Sequence, residues 1–133
     1  MIFLAAGTQD GRQIAEMLLQ RGYKVTASVV SDYGRILLSQ HQNLTIIERM
    51  LDEQALQEQL TESAARIFID ASHPYAVNIS QTAMKVCGRL GIYYIRYERP
   101  AIALPEYDKL YKADSFEKAA QKAFELGSNV FLT

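Results

Sequence analysis

Ile67-Phe68-Ile69-Asp70-Ala71-Ser72-His73-Pro74-Tyr75-Ala76 decides the fold. Three apolar residues, two of them β-branched, predict a buried strand, and the polar cluster begins where such a strand must stop. In an open parallel sheet, ligands gather beyond the carboxyl ends of the strands. Asp70, Ser72, His73 and Tyr75 are therefore expected to line a crevice. A purely structural reading is also open, in which Asp70 and Ser72 cap the next helix and His73-Pro74 forms its first turn.

Toward the amino terminus the same alternation repeats. Met1 to Ala5 predicts a first buried strand that runs into Ala6-Gly7-Thr8-Gln9-Asp10-Gly11-Arg12. Asp10 can cap the helix that follows, with Gln13 completing a variant of the capping box. Ile14, Met17 and Leu18 would form its inner face, and Gly22 its end. Val25 to Val30 predicts a second strand, Ser31-Asp32-Tyr33-Gly34-Arg35 a polar turn, and Ile36 to Ser39 the start of a short helix. Leu44 to Ile47 reads as a third strand, and Asp52 as the cap of a helix through Glu62, with Leu51 and Leu56 spaced as a hydrophobic staple.

Beyond the central stretch, Ile79, Ala83, Val86 and Leu90 recur at helical spacing, Gly91 supplies a left-handed stop, and Ile92 to Tyr97 reads as a fifth strand. Strands separated each time by a helix or helical turn pair in parallel through right-handed crossovers. The predicted class is α/β, a three-layer doubly wound parallel sheet, Rossmann-like. The pattern then changes: Arg99 to Pro105 has two prolines and no helical period, which makes it a connector. Leu110 to Ala113 suggests a short strand. Ser115 is a candidate cap for a helix with Phe116, Ala120, Ala123 and Phe124 inward, ended by Gly127, and Val130-Phe131-Leu132 suggests another strand.

Composition narrows the function. The 133 residues suffice for a self-supporting core, and 49% apolar with 22% charged residues is the profile of a globular protein. No apolar run reaches bilayer-spanning length, and Met1 to Ala5 is too short and lacks the basic lead of a signal peptide, so neither membrane nor export is expected. Cys87 is the one cysteine, which excludes an internal disulfide and a cysteine-based zinc site and fits a cytoplasmic location. A net charge of −1 argues against nucleic-acid binding.

Several residues are suited to chemistry. Gly7 and Gly11 bracket the first strand-to-helix turn, where backbone N–H groups and the helix dipole attract phosphate. The G-x-G-x-x-G dinucleotide fingerprint is not met, since Ala5 stands at its first glycine and only Gly7 matches. After the second strand both Asp32 and Arg35 are available, so the pattern leaves NAD and NADP undecided. His73 can exchange a proton near neutrality or serve as a passive first-turn residue. His41 is the only other histidine, and no set with metal-ligand spacing exists, so no metal site is expected. Cys87 falls on an apolar helix face and reads as core. Arg96 and Arg99 at the end of the fifth strand suit carboxylates or phosphates, or else form an exposed ion pair with Glu98.

Four blocks in order resemble the precorrin-6A reductase (cobalt-precorrin-6A reductase) family of cobalamin biosynthesis. They are Gly7-Thr8 with Arg12, Ser28-Val29 with Tyr33-Gly34, Asp70 to Ala76, and Arg96-Tyr97-Glu98-Arg99-Pro100. The resemblance implies a Rossmann-like fold without the standard glycine fingerprint and an NADPH-dependent reduction of a tetrapyrrole-derived ring bearing acetate and propionate arms. It implies that Gly7, Thr8, Gln9, Arg12, Ser28, Tyr33, Gly34 and Ser72 hold the cofactor. His73 and Tyr75 would face the reacting ring as possible proton sources, with water as an alternative, and Arg96 and Arg99 would meet the substrate's carboxylates. The chain departs from the pattern at Ala6, at Ser72, at Arg49-Met50 and in having no tryptophan after Arg99-Pro100.

The family has two Rossmann-like lobes, so the resemblance implies an N-terminal lobe over residues 1–100, a connector over 101–108 and the start of a second lobe over 109–133. A C-terminal lobe would then be the missing partner, and this lobe alone is expected to bind NADPH weakly and reduce little. The rival expectation is a non-catalytic nucleotide-binding or sensing module, which needs the glycine turn but not the Ser-His-Pro-Tyr cluster.

Overall fold

A computed structural model describes residues 1–30, 41–99 and 103–132. The chain divides into two compact units, Met1–Arg99 and Pro100–Thr133. In the first unit, five strands form one sheet: β1 (Ile2–Ala5), β2 (Val25–Val29), β3 (Leu44–Glu48), β4 (Ile67–Asp70) and β5 (Tyr93–Arg96). All pairs are parallel and the spatial order is β3-β2-β1-β4-β5. The chain thus steps outward from β1 to β3, returns across β1, and steps outward again on the other side.

Helices cover both faces, as the alternation predicts. Along β1, Leu4 points to the face covered by α1 (Gln9–Gln20), where Ala15, Leu19, Val25, Ala27 and Val29 complete one core. Phe3 points to the other face, beneath α2 (Glu53–Glu62) and α3 (Val77–Leu90), with Leu56, Leu60, Phe68, Ala83 and Val86. Phe3, Phe68 and Tyr94 are paired in register on three adjacent strands and stack, with centroids 5.5 and 5.8 Å apart. Phe3 and Phe68 are fully buried, and each such burial contributes about 1.5–3 kcal/mol.

Local signals are used largely as read. Asp52 caps α2, accepting from the Ala55 N–H at 2.8 Å, and Leu51 and Leu56 both enter the core. Gly91 ends α3 in the left-handed region with φ 67°, a conformation that disfavours a Cβ. In α1 the buried positions are Gly11, Ala15 and Leu19, with Ile14 and Leu18 partly buried, while the expected inner residue Met17 is exposed. In α3 Ala83, Val86 and Cys87 are buried as their spacing predicts, whereas Leu90, expected on the same face, is exposed. The helix expected from Ile36 lies outside the described residues.

Among the described residues the second unit contains one helix, α4 (Phe116–Leu126), capped by Ser115 through the Lys118 N–H at 3.2 Å and ended at Gly127. None of its residues is buried, so Phe116 and Phe124 are exposed rather than inward. Neither 110–113 nor 130–132 forms a strand: strand-forming composition gives a strand only where a neighbour supplies the ladder. Among the described residues no helix is long and apolar enough to cross a membrane.

Candidate functional site

The reversal of strand order lies between β1 and β4, the position at which the connections leave in opposite directions and open a crevice. A cavity of about 350 Å³ occurs there, within the general range of roughly 300–1,000 Å³ for small-ligand sites. Its walls are Gly7 to Asp10 from the β1 loop, Ala71 to Pro74 from the β4 loop, and Tyr97 to Arg99 after β5. A larger groove of about 740 Å³ in the second unit runs along Leu110, Tyr111, Ala119 and Leu126. Among its charged lining residues, Lys118 pairs with Asp114 at 2.8 Å and the Lys122 ammonium lies 4.6 Å from the Tyr111 ring centroid.

Thr8, not Asp10, is the N-cap of α1: its hydroxyl accepts from the Gly11 N–H at 3.1 Å. The same hydroxyl donates to the Ala71 carbonyl at 2.8 Å, which ties the two loops together at the crevice. Its proton is therefore committed within the fold, and a phosphate here would meet backbone N–H groups and the helix dipole. Gly11 is buried against Ala6, and a Cβ at Gly11 would lie 2.7 Å from the Ala6 Cα. Gly11 thus permits the close helix-to-strand packing that the third fingerprint glycine allows, one residue later than the motif places it. At Gly7 a Cβ would meet nothing within 4 Å, so the backbone on that side stays open to a ligand.

Asp70 does not line the crevice, contrary to the expectation from sequence. Alternation along β4 puts it on the Phe68 face, where it is fully buried. Its Oδ1 accepts from the Ser72 N–H at 3.0 Å and the Ser72 hydroxyl at 2.6 Å, and pairs with Arg96 Nη1 at 2.8 Å. Its Oδ2 accepts from the hydroxyls of Ser80 and Tyr94, both at 2.6 Å. Burial raises the cost of the charge, but the hydrogen bonds from Ser72, Ser80 and Tyr94 outweigh it and hold the carboxyl below its ordinary value. Burial and the same carboxylate push the Tyr94 phenol up to about 12. Asp70 caps no helix: α3 begins after Ala76, with no side-chain cap.

His73 opens a turn closed by the Ala76 N–H on its carbonyl at 2.8 Å. Its Nδ1 accepts from the Tyr75 N–H at 3.2 Å, so the neutral ring carries its proton on Nε2. The Tyr75 ring is exposed beside it, centroids 5.2 Å apart. Arg99 pairs with Asp10 of the first turn of α1, so the residues after β5 reach the α1 side of the crevice.

Of the residues singled out in the sequence, Gly7, Thr8, Gln9, Ser72, His73 and Arg99 meet around this cavity. Arg12, Ser28, Tyr75 and Arg96 do not line it. Ser28 is the penultimate residue of β2, its carbonyl accepting from the Ala6 N–H at 2.9 Å, and Arg96 is half-buried against Asp70 and Ser72. Tyr33 and Gly34, with Asp32 and Arg35, lie outside the described residues. Sequence reasoning missed Ser80 and Tyr94 as partners of Asp70. The available signal was alternation, which places Tyr94 and Arg96 on one face of β5 beside Phe68 and Asp70. Among the described residues no group of three His, Cys, Asp or Glu side chains is arranged to hold a metal.

A protein-family model described as "Precorrin-6x reductase CbiJ/CobK" matches residues 1–133. The chain belongs to this family. Within the CbiJ/CobK family, the cobalt-precorrin-6A reductase of Priestia megaterium is 36% identical over 133 residues, covering 100% of this chain and 51% of the relative. That of Methanococcus maripaludis is 30% identical, covering 98% and 52%. The chain thus spans about half the length of these curated relatives. Among solved structures, a CobK precorrin-6A reductase is 23% identical with a TM-score of 0.67, covering 78% of this chain and 41% of that one. The Bordetella bronchiseptica enzyme WbmG, solved with NAD and UDP, is 18% identical with a TM-score of 0.62, covering 97% and 49%. Both share the Rossmann-like fold.

Proposed function

We propose that the chain is the N-terminal lobe of a cytoplasmic NADPH-dependent reductase that acts on a precorrin-type tetrapyrrole in cobalamin biosynthesis. The crevice at the β1/β4 reversal carries this reading, because the amino end of α1 and the Ser72-His73-Pro74 loop meet there. A dinucleotide fits the residues present: Gly7 leaves its backbone open, and the first turn of α1 offers N–H groups to a pyrophosphate. When bound, the reduced nicotinamide supplies a hydride to one carbon of a ring double bond.

The chain's own residues do the rest. The backbone N–H groups of Gly7, Thr8 and Gln9 meet the phosphates, with Arg12 adding charge from outside the cavity wall, and the family resemblance assigns Ser28, Tyr33 and Gly34 to the cofactor. Ser72 sets the wall against which the nicotinamide lies. His73 presents Nε2–H outward as a hydrogen-bond donor to the reacting ring. A proton for the carbon beside the one that receives hydride would come from Tyr75, from water, or from His73 once Nδ1 has given up the Tyr75 N–H and taken a proton itself. Arg99 exchanges Asp10 for a substrate carboxylate, and Arg96, paired with Asp70, holds the Ser72 hydroxyl in place behind the rim. Residues 1–100 form the lobe, 101–108 the connector and 109–133 the start of a second lobe, in keeping with relatives about twice as long.

Binding of NADPH and NADH, measured on this chain alone and on the protein extended by its second lobe, tests the reading. Weak NADPH binding by the chain, strengthened by the second lobe and preferred over NADH, is expected. No preference for either dinucleotide in both forms would overturn it in favour of a non-catalytic module.

A further inference from the structure

We propose that Asp70 and Arg96 together are a positioning pair that presets the Ser72-His73 loop for the reduction, an assignment that rests on the reductase reading above. Five donor groups from three parts of the chain converge on one carboxylate: two from Ser72, one from Ser80 of α3, and Tyr94 and Arg96 of β5. A buried ion pair is poor value for stability, since apolar replacements of similar volume are often as good or better. This cluster does, however, fix geometry at the mouth. Ser72 follows Asp70 by two residues, both its N–H and its hydroxyl are held by the same oxygen, and Arg96 Nη1 also reaches the Ser72 hydroxyl oxygen at 3.0 Å.

Two consequences follow for the site. The hydroxyl proton of Ser72 is turned inward onto Asp70, so toward a ligand Ser72 acts as a hydrogen-bond acceptor. The Arg96 charge is matched by a fully buried carboxylate while Arg99 stays exposed, so Arg99 takes the role of anion-gripping arginine at this rim. Neither Asp70 nor Arg96 lines the cavity, and both act through Ser72. Misplacing a reacting group by about 1 Å can cost on the order of a hundredfold in rate.

The test is steady-state kinetics of the full-length protein with NADPH and the precorrin substrate. Asp70→Asn is expected to lower kcat by about ten- to a hundredfold while KM for the macrocycle changes by less than about twofold. Arg96→Ala is expected to behave alike, with Arg96→Lys restoring part of kcat, whereas Arg99→Ala raises KM. Tyr94→Phe, which removes one donor and leaves the charge pair, gives a smaller kcat loss and serves if Asp70→Asn does not fold. A rise in KM for Arg96→Ala without a fall in kcat would make Arg96 a substrate contact and overturn the assignment. So would unchanged kcat in folded Asp70→Asn, or in Tyr94→Phe where Asp70→Asn does not fold. Absence of turnover in the unsubstituted protein would instead refute the reductase reading, and this assignment with it.

Discussion

The hydroxyl of Thr8 donates to the carbonyl of Ala71 at 2.8 Å while accepting from the Gly11 N–H, so one side chain caps α1 and joins the loops that follow β1 and β4. Those strands flank the reversal of strand order, and the joint lies at the cavity. Replacing Thr8 by Val keeps the shape and removes both hydrogen bonds. The cap and the cross-loop bond each contribute about 1 kcal/mol. A loss of about 1–3 kcal/mol in urea unfolding is expected, with Thr8→Ser retaining most of the stability.

Asp70 makes stability depend on acid. Its carboxyl is held below its ordinary value in the fold, so the unfolded chain binds that proton more readily. The contribution is fully present above the unfolded value and is lost as pH falls through the lower folded value. Unfolding measured as a function of pH is expected to show a steep acid limb that Asp70→Asn flattens. At neutral pH the variant, which leaves Arg96 without its counter-charge, is expected to be less stable by about 3 kcal/mol.

Two glycine-to-alanine changes are expected to have opposite signs. Gly11→Ala puts a methyl 2.7 Å from the Ala6 Cα, a backbone atom that cannot turn aside. The strain of overpacking, about 1–3 kcal/mol, outweighs the helix-propensity gain of about 1 kcal/mol. Gly88 lies in α3, and a methyl there meets nothing within 4 Å, so Gly88→Ala is expected to stabilise by about 0.5–1 kcal/mol. Thermal unfolding of both variants checks the pair.

Cys87 is buried among Phe68, Ala83 and Val86, and burial pushes its thiol up to about 11. It is therefore no nucleophile in the folded protein. A chromogenic disulfide reagent is expected to react with it only at the rate of unfolding, and Cys87→Ala is expected to leave nucleotide binding intact. Rapid labelling of the native protein would contradict this placement.

The sheet was legible because each parallel strand is announced by a short apolar run that needs no partner to be recognised. In Ile67-Phe68-Ile69, Phe68 is buried in the core beneath α2 and α3 and Ile69 packs partly buried against the core on the α1 side. Asp70 was misread because its role is set by Tyr94 and Ser80, which are distant in sequence, while local grammar offered a cap. The choice between Thr8 and Asp10 as N-cap was likewise tertiary: Arg99 engages Asp10, and Ala71 engages Thr8. Strands expected at 110–113 and 130–132 show the same limit, since β-propensity alone supplies no neighbouring ladder. Ser72 and His73 border the cavity, a position legible because a strand end in a parallel sheet is itself a positional signal.

The account stands most directly on hydride transfer by the two-lobed protein. NADPH carrying deuterium at the carbon that donates hydride, prepared in both diastereomers, is mixed with the precorrin substrate, and the product is weighed by mass spectrometry. One diastereomer is expected to deliver its deuterium to the macrocycle in step with NADPH oxidation. A reduced macrocycle without label from either diastereomer, or no substrate-dependent oxidation of NADPH, would contradict the central claim.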